Sequence, residues 1–456
     1  MRKILLRAAM SPVLEYTEFD VVAKNLVGNN IGNMLFAASM AKTLLTPDTQ
    51  IDTISTSRRY SKEEIKRFNE QYECFVIPLA NAFRASFVKE LGHLTDLVSK
   101  LKIPCIVAGV GIQAKLETNV EKGFSFDEDV KRFMNAILEK SALVGVRGEI
   151  TGAYLKRLGY EEERHFTVIG CPSMYLFGKE LPKTKESMLT EKSRVSINFK
   201  LDLSEKMHAL FERSMKEIPD HYFIPQSIEE LRLMYAGVPY PTKKKQKIPA
   251  YYPIQLDTEL YQNNRVRSFV NVESWLGFLS EMEFSFGSRI HGNIAAILSG
   301  IPCYIFAYDN RITELAAYHQ IPYMDASRIN KKTNILDIYE KTDFSCIHKG
   351  QEERFFHFLD FLNQNQLEHI YDESGHAKYT IYDELRKNQT LAAPIIPFTK
   401  ISVREQEQRL ALYYQYQERR YERLKKEKLE TESLLAVKSY TQLRKWMMAW
   451  RTKMED

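Results

Sequence analysis

The sequence lacks any apolar run of about 18 residues, the length a membrane-spanning helix requires, so no such helix is expected. Cysteine is scarce: Cys74, Cys105, Cys171, Cys303 and Cys346 are scattered, odd in number, and show no C-x-x-C spacing. That pattern excludes a disulfide framework and a structural zinc site, and it fits a reducing compartment, the cytoplasm. An excess of one charge is also missing, with 64 Lys and Arg against 59 Asp and Glu. Most of the surplus lies in the tail, where residues 401–456 hold 13 basic and 9 acidic side chains. A nearly neutral body argues against a nucleic-acid-binding core, and no nucleic-acid partner is expected. No internal repeat and no low-complexity segment is found. Near the start, Ile4-Leu5-Leu6 is apolar, but Arg7 interrupts the run too early for a secretory leader. The stretch reads better as a first strand.

What is present is alternation. A chain of 456 residues is too long for one core, and two domains plus an extension are expected. Short apolar runs at Lys3–Met10, Cys74–Ile77, Pro104–Ala108, Ala142–Val146 and Thr167–Gly170 read as strands. Helical patterns of about 10 to 15 residues separate them. After a polar linker, Leu181–Lys192, the pattern restarts with strands at Arg194–Phe199, His221–Pro225, Met282–Phe286 and Cys303–Phe306. Mostly apolar strands between helices mean parallel sheets covered on both faces. The expected architecture is α/β, two Rossmann-like domains (1–185 and 190–348) facing a cleft, with a helical extension over 350–456.

One stretch concentrates the chemistry: F-S-F-G-S-R-I-H-G-N-I-A-A-I-L-S-G-I-P, Phe284 to Pro302. It reads as strand, turn and helix, with Arg289 and His291 in the turn. In an open parallel sheet such turns lie where ligands bind. Helix-start N–H groups together with a guanidinium suit a phosphate or a carboxylate. A satisfied structural network is the alternative. Asn29-Asn30-Ile31-Gly32-Asn33 precedes another helix and reads as either an anion-binding turn or an ordinary cap. Gly109-Val110-Gly111-Ile112-Gln113 and Val146-Arg147-Gly148-Glu149 close two further strands. Lys243-Lys244-Lys245-Gln246-Lys247 reads as a solvated loop, or as a receptor for an anionic carrier. From Glu405 to Met454 a long helical stretch reads as a coiled coil that joins identical chains, or as a helix lying on a membrane surface.

The turns at Asn29–Asn33, Val146–Glu149 and Gly170-Cys171-Pro172, with the G-S-R-I-H-G-N-I-A-A-I-L-S-G-I-P block and Tyr308-Asp309-Asn310-Arg311, resemble the polysaccharide pyruvyl transferase family. The resemblance covers about residues 20–325. Cys171 stands where that family usually has aspartate, and Arg311 where it has lysine. The turn after the third strand reads Pro78-Leu79-Ala80-Asn81-Ala82-Phe83 in place of a glycine-rich one.

The resemblance implies a fold like that of GT-B glycosyltransferases and transfer of pyruvyl from phosphoenolpyruvate to a sugar as a ketal. It needs neither cofactor nor metal. The donor would be held by Arg147, Arg289, His291, Asn293 and Arg311. His291, Arg289 and Glu149 are the expected catalytic residues, with Glu149 and Asp309 alternatively ion-pair partners of the arginines. Asn30, Asn33 and Gln113 would meet the acceptor, a glycan that is lipid-linked or nucleotide-linked. Two other readings are a glycosyltransferase using a nucleotide sugar and a non-catalytic scaffold of a glycan-assembly complex.

Overall fold

The computed structural model describes the whole chain except residues 57, 117–118, 243–246, 429–439 and 449–456. The first half is built on β1 (Arg2–Arg7), β2 (Thr49–Ile54), β3 (Cys74–Pro78), β4 (Cys105–Ala108), β5 (Val144–Val146) and β6 (Phe166–Val168). The second is built on β7 (Val195–Asn198), β8 (His221–Phe223), β9 (Phe284–Gly287), β10 (Cys303–Ala307) and β11 (Tyr323–Asp325). The pairings are parallel throughout. The first sheet runs β2-β1-β3-β4, and a Val110–Val146 bridge carries it on to β5-β6. The second runs β11-β10-β9-β7-β8. In each half the strand order reverses between the first strand and its third-strand neighbour, which is where open α/β sheets bind ligands.

Central strands are buried along their full length, as in Cys74–Pro78 and Cys303–Ala307, because helices cover both faces. That uniform burial is why their sequences read as continuous apolar runs. β2 escapes that reading. T-Q-I-D-T-I alternates, and it pairs only with β1 at the sheet edge. Helices Lys62–Gln71 and Ile228–Ala236 each begin with a capping box, Ser61/Glu64 and Ser227/Glu230.

The region after 350 does not project from the body. Helix Gln351–Gln364 returns to the first half, where Phe355, Phe358, Phe361 and Leu362 are fully buried. Tyr175 stacks on Phe358 at 4.8 Å, and Asn365 Oδ1 accepts from the N–H of Ala142. The chain then crosses to the second half. Arg386 pairs there with Glu273 at 2.8 Å, and Ile395 bridges to Ser268. Helix Val403–Lys428 buries Leu410 and Tyr413. It lies along helices Glu18–Lys24 and Ile228–Ala236. Its first part therefore packs on its own body. Leu429, Leu434, Trp450 and Arg451, which carry part of the coiled-coil and membrane readings, lie outside the described residues, as do 243–246 of the basic loop. Lys247 is exposed and pairs with Glu205. No described helix is long and apolar enough to cross a membrane.

Candidate active site

The turn after β9 is fixed from within its own half. A β-carbon on Gly287 would fall 1.8 Å from the carbonyl oxygen of Asn198, so only glycine allows β9 to run this close to β7. Asn198, at the end of β7, then holds the turn. Its carbonyl accepts from Ser288 N–H at 2.7 Å, and its Oδ1 accepts from Arg289 N–H and Asn293 Nδ2, both at 3.1 Å. Arg289 caps helix Ile290–Leu298, and His291 stands in the first turn of that helix.

The structure corrects two expectations here. Asn293 is fully buried and engaged with Asn198 and the carbonyl of Arg289. Arg289 does not line the cavity. Its guanidinium runs into the second half, 3.6 Å from Glu230. Glu230 is 1% exposed and accepts from the N–H groups of Gln226 and Ser227 and from the hydroxyl of Tyr252.

His291 faces the other way. It lines a cavity of about 1000 Å³ together with Arg7, Arg84, Arg147 and Arg311. Its Nε2 lies 3.8 Å from Cys171 Sγ, and its ring packs 5.8 Å from Phe36. A β-carbon on Gly32 would fall 2.6 Å from His291 Cβ and 2.7 and 2.8 Å from its ring atoms Nδ1 and Cγ, so the Asn30–Asn33 turn of the first half rests directly on the imidazole. Burial, with Arg147 and then Arg311 nearby, pulls the His291 pKa down to about 3, and the ring is neutral near pH 7.

Arg147 ends β5 and is 1% exposed. Among the described residues its guanidinium makes no hydrogen bond and no ion pair, and its Nε is buried without a partner. Burial lowers its pKa. Arg84 donates to Gln113 Oε1 at 2.8 Å, and Arg311 lies 3.3 Å from Asp309. Uncompensated buried charge is costly. A fold that keeps it in a cavity wall has a place ready for an anion.

The remaining expected residues divide. Asn30, Asn33 and Gln113 line the cavity, although each has a protein partner. Gln113 also donates to Asp309 Oδ2 at 3.2 Å, across the two halves. Glu149, expected as a catalytic residue, is exposed at the start of its helix and does not line the cavity. The carboxylate beneath Arg147 is instead Glu314, which sequence reasoning missed. Glu314 is 4% exposed and accepts from Thr151 N–H at 2.9 Å and from Thr151 Oγ1. Desolvation raises its pKa to about 7, against the pull of Thr151 and Arg147. Arg7, Arg84 and Arg386 were missed as well. Arg7 had a signal, a lone charge at the carboxyl end of an apolar strand. Among the described residues no group of three or more His, Cys, Asp or Glu is placed to hold a metal ion.

Fold and site together define a two-lobed α/β protein whose lobes enclose an arginine-lined cavity with an imidazole on its floor. A family model for polysaccharide pyruvyl transferase matches residues 30–310. The chain belongs to that family, a family of transferases. No curated protein matches significantly. Among solved structures, an uncharacterized protein from Klebsiella pneumoniae is 15% identical, with 71% of this chain and 92% of that one covered and a TM-score of 0.38. A putative UDP-N-acetylglucosamine 2-epimerase from Listeria monocytogenes is 9% identical, with 83% and 99% covered and a TM-score of 0.41. A UDP-bound MnaA from S. aureus is 12% identical, with 80% and 98% covered and a TM-score of 0.37.

Proposed function

We propose that the protein transfers a pyruvyl group from phosphoenolpyruvate to two hydroxyls of a sugar in an envelope glycan precursor, forming a ketal and releasing phosphate. The family supports the class of reaction. The observation that carries the reading is Arg147, a buried guanidinium in the cavity wall that has no hydrogen bond or ion pair among the described residues. Phosphoenolpyruvate brings a phosphate and a carboxylate on one small frame, and Arg147 and Arg311 offer planar donor forks to both. In the reaction one sugar hydroxyl adds to the enol carbon while the methylene carbon takes a proton. The second hydroxyl then displaces phosphate, and its proton leaves with the phosphate. Bound anion offsets the field of Arg147 and Arg311 and raises the basicity of His291. The ring can then take a hydroxyl proton and return it to the departing phosphate. Electrostatic stabilisation of that leaving group by the arginines supplies most of the acceleration. Arg289 joins this set only by leaving Glu230.

Phosphoenolpyruvate should raise the melting temperature, and phosphate should appear when lipid-linked or nucleotide-linked sugars are added. Arg147→Ala should abolish both. A shift with UDP or GDP and none with phosphoenolpyruvate would replace this reading with that of a nucleotide-sugar transferase. Unimpaired biological function of Arg147→Ala would leave a scaffold.

A further inference from the structure

Arg7 stands apart from the other arginines of the cavity. Arg311 acts electrostatically on both Arg84 and Arg147, so these three form one group. Among the described residues no charged group shifts Arg7. Burial alone pulls its pKa down, to about 10. Its Nε donates to Thr56 Oγ1 at 2.8 Å and its Nη1 to the carbonyl of Pro78 at 3.0 Å, both uncharged acceptors. Among the described residues no carboxylate lies within ion-pair distance. Arg7 ends β1, Pro78 ends β3, and these two strands are the neighbours at which the first sheet reverses its order. The guanidinium is thus held by its neighbours at the switch point of the first half, facing the same cavity. A guanidinium offers five N–H donors, and two are used here. A neutral side chain could serve Thr56 and Pro78 equally well, so the charge itself needs another explanation.

We infer that Arg7 is the centre of a second oxyanion subsite, which seats an anionic group of the acceptor, a phosphate or a uronate carboxylate, while the donor lies at Arg147. This deepens the proposed reaction and rests on it. A cavity of about 1000 Å³ has room for both molecules. The consequence is specificity: an acceptor carrying an oxyanion at the right distance from its reacting hydroxyls is held in register, and a neutral sugar is not.

The test is calorimetric titration of the full chain, saturated with phosphoenolpyruvate, with four probes: pyrophosphate, UDP, farnesyl diphosphate in detergent, and glucuronate. The probe that binds tightest names the source of the oxyanion. Arg7→Gln should weaken that probe about tenfold or more while leaving phosphoenolpyruvate affinity within about twofold. Arg147→Gln should do the reverse. Thr56→Val, which frees Nε and leaves the charge, should weaken the probe less than Arg7→Gln does. Equal binding of every probe by Arg7→Gln and wild type overturns the inference, as does failure of every probe to bind wild type. Arg7-dependent binding without any phosphoenolpyruvate binding would keep the subsite and remove the proposed reaction.

Discussion

Glu314 places a carboxylate from the second half onto Thr151 of the first. It accepts from the Thr151 N–H at 2.9 Å and from the hydroxyl at 2.9 and 3.0 Å. Two residues without side chains make room for it: β-carbons on Gly111 and Gly148 would both come within 3.2 Å of its carboxylate. Thr151 satisfies the oxygens. Arg147, close enough to feel the charge, is therefore left without a direct ion pair.

A pH dependence follows. The pKa of Glu314 is raised from 4.5 to about 7, so the folded protein binds more protons than the unfolded chain between those values. The stability this contributes is present in full below about pH 4.5 and is lost as pH rises through 7. The shift corresponds to roughly 3 kcal/mol. Urea unfolding between pH 4.5 and 8 should show that slope on top of the other groups, and Glu314→Gln should flatten it. Glu314→Ala should cost about 2 to 4 kcal/mol at pH 6, because it leaves the Thr151 N–H unpaired in a new cavity.

His291 gives the opposite slope. Its pKa falls from 6.5 to about 3 on folding, so stability is lost as pH falls from about 6.5 toward 3. In the empty protein the ring should show no protonation by NMR between pH 5 and 8. Phosphoenolpyruvate should move that titration upward by offsetting the charge of the two arginines. His291→Asn should reduce turnover about 10²- to 10⁴-fold while retaining donor binding. Retained turnover would remove the ring from the chemistry.

Arg147 should lower stability in order to serve binding. Replacing it with Met removes a buried charge that has no partner among the described residues and should raise stability of the empty protein by about 1 to 2 kcal/mol. The same change should erase the thermal shift with phosphoenolpyruvate. A destabilised Arg147→Met that still binds the donor would make the residue structural.

Gly32→Ala tests whether the first half positions the imidazole. The added methyl would fall 2.6 Å from His291 Cβ, so the ring must move or the halves must part. Overpacking of this kind costs about 1 to 3 kcal/mol, and activity should fall well beyond what the lost stability explains. Steady-state rates at a temperature where the variant is fully folded decide this.

Both lobes were readable because buried parallel strands leave continuous apolar runs, as at Cys74–Ile77 and Cys303–Phe306. β2 was not, since an edge strand needs only one buried face and T-Q-I-D-T-I carries polar residues on the other. The position of His291 after a strand and at a helix start marked it as a candidate, and it lines the cavity. The direction of Arg289 could not be read, because its partner Glu230 comes from a distant helix and only folding brings them together. Glu314 and Arg386 were hidden for the same reason. A charged residue on a helix looks solvated until the surface it packs on is known.

The extension has a mechanical consequence. The polypeptide passes between the lobes three times, through 181–194, before helix Gln351–Gln364, and between Ile370, whose N–H donates to the Thr43 carbonyl, and Arg386, which pairs with Glu273. Parting the lobes would have to stretch all three crossings together, which opposes a wide swing. Tyr382 and Arg386 lie on the third of these crossings and also line the cavity, so any such motion would carry part of the cavity wall with it.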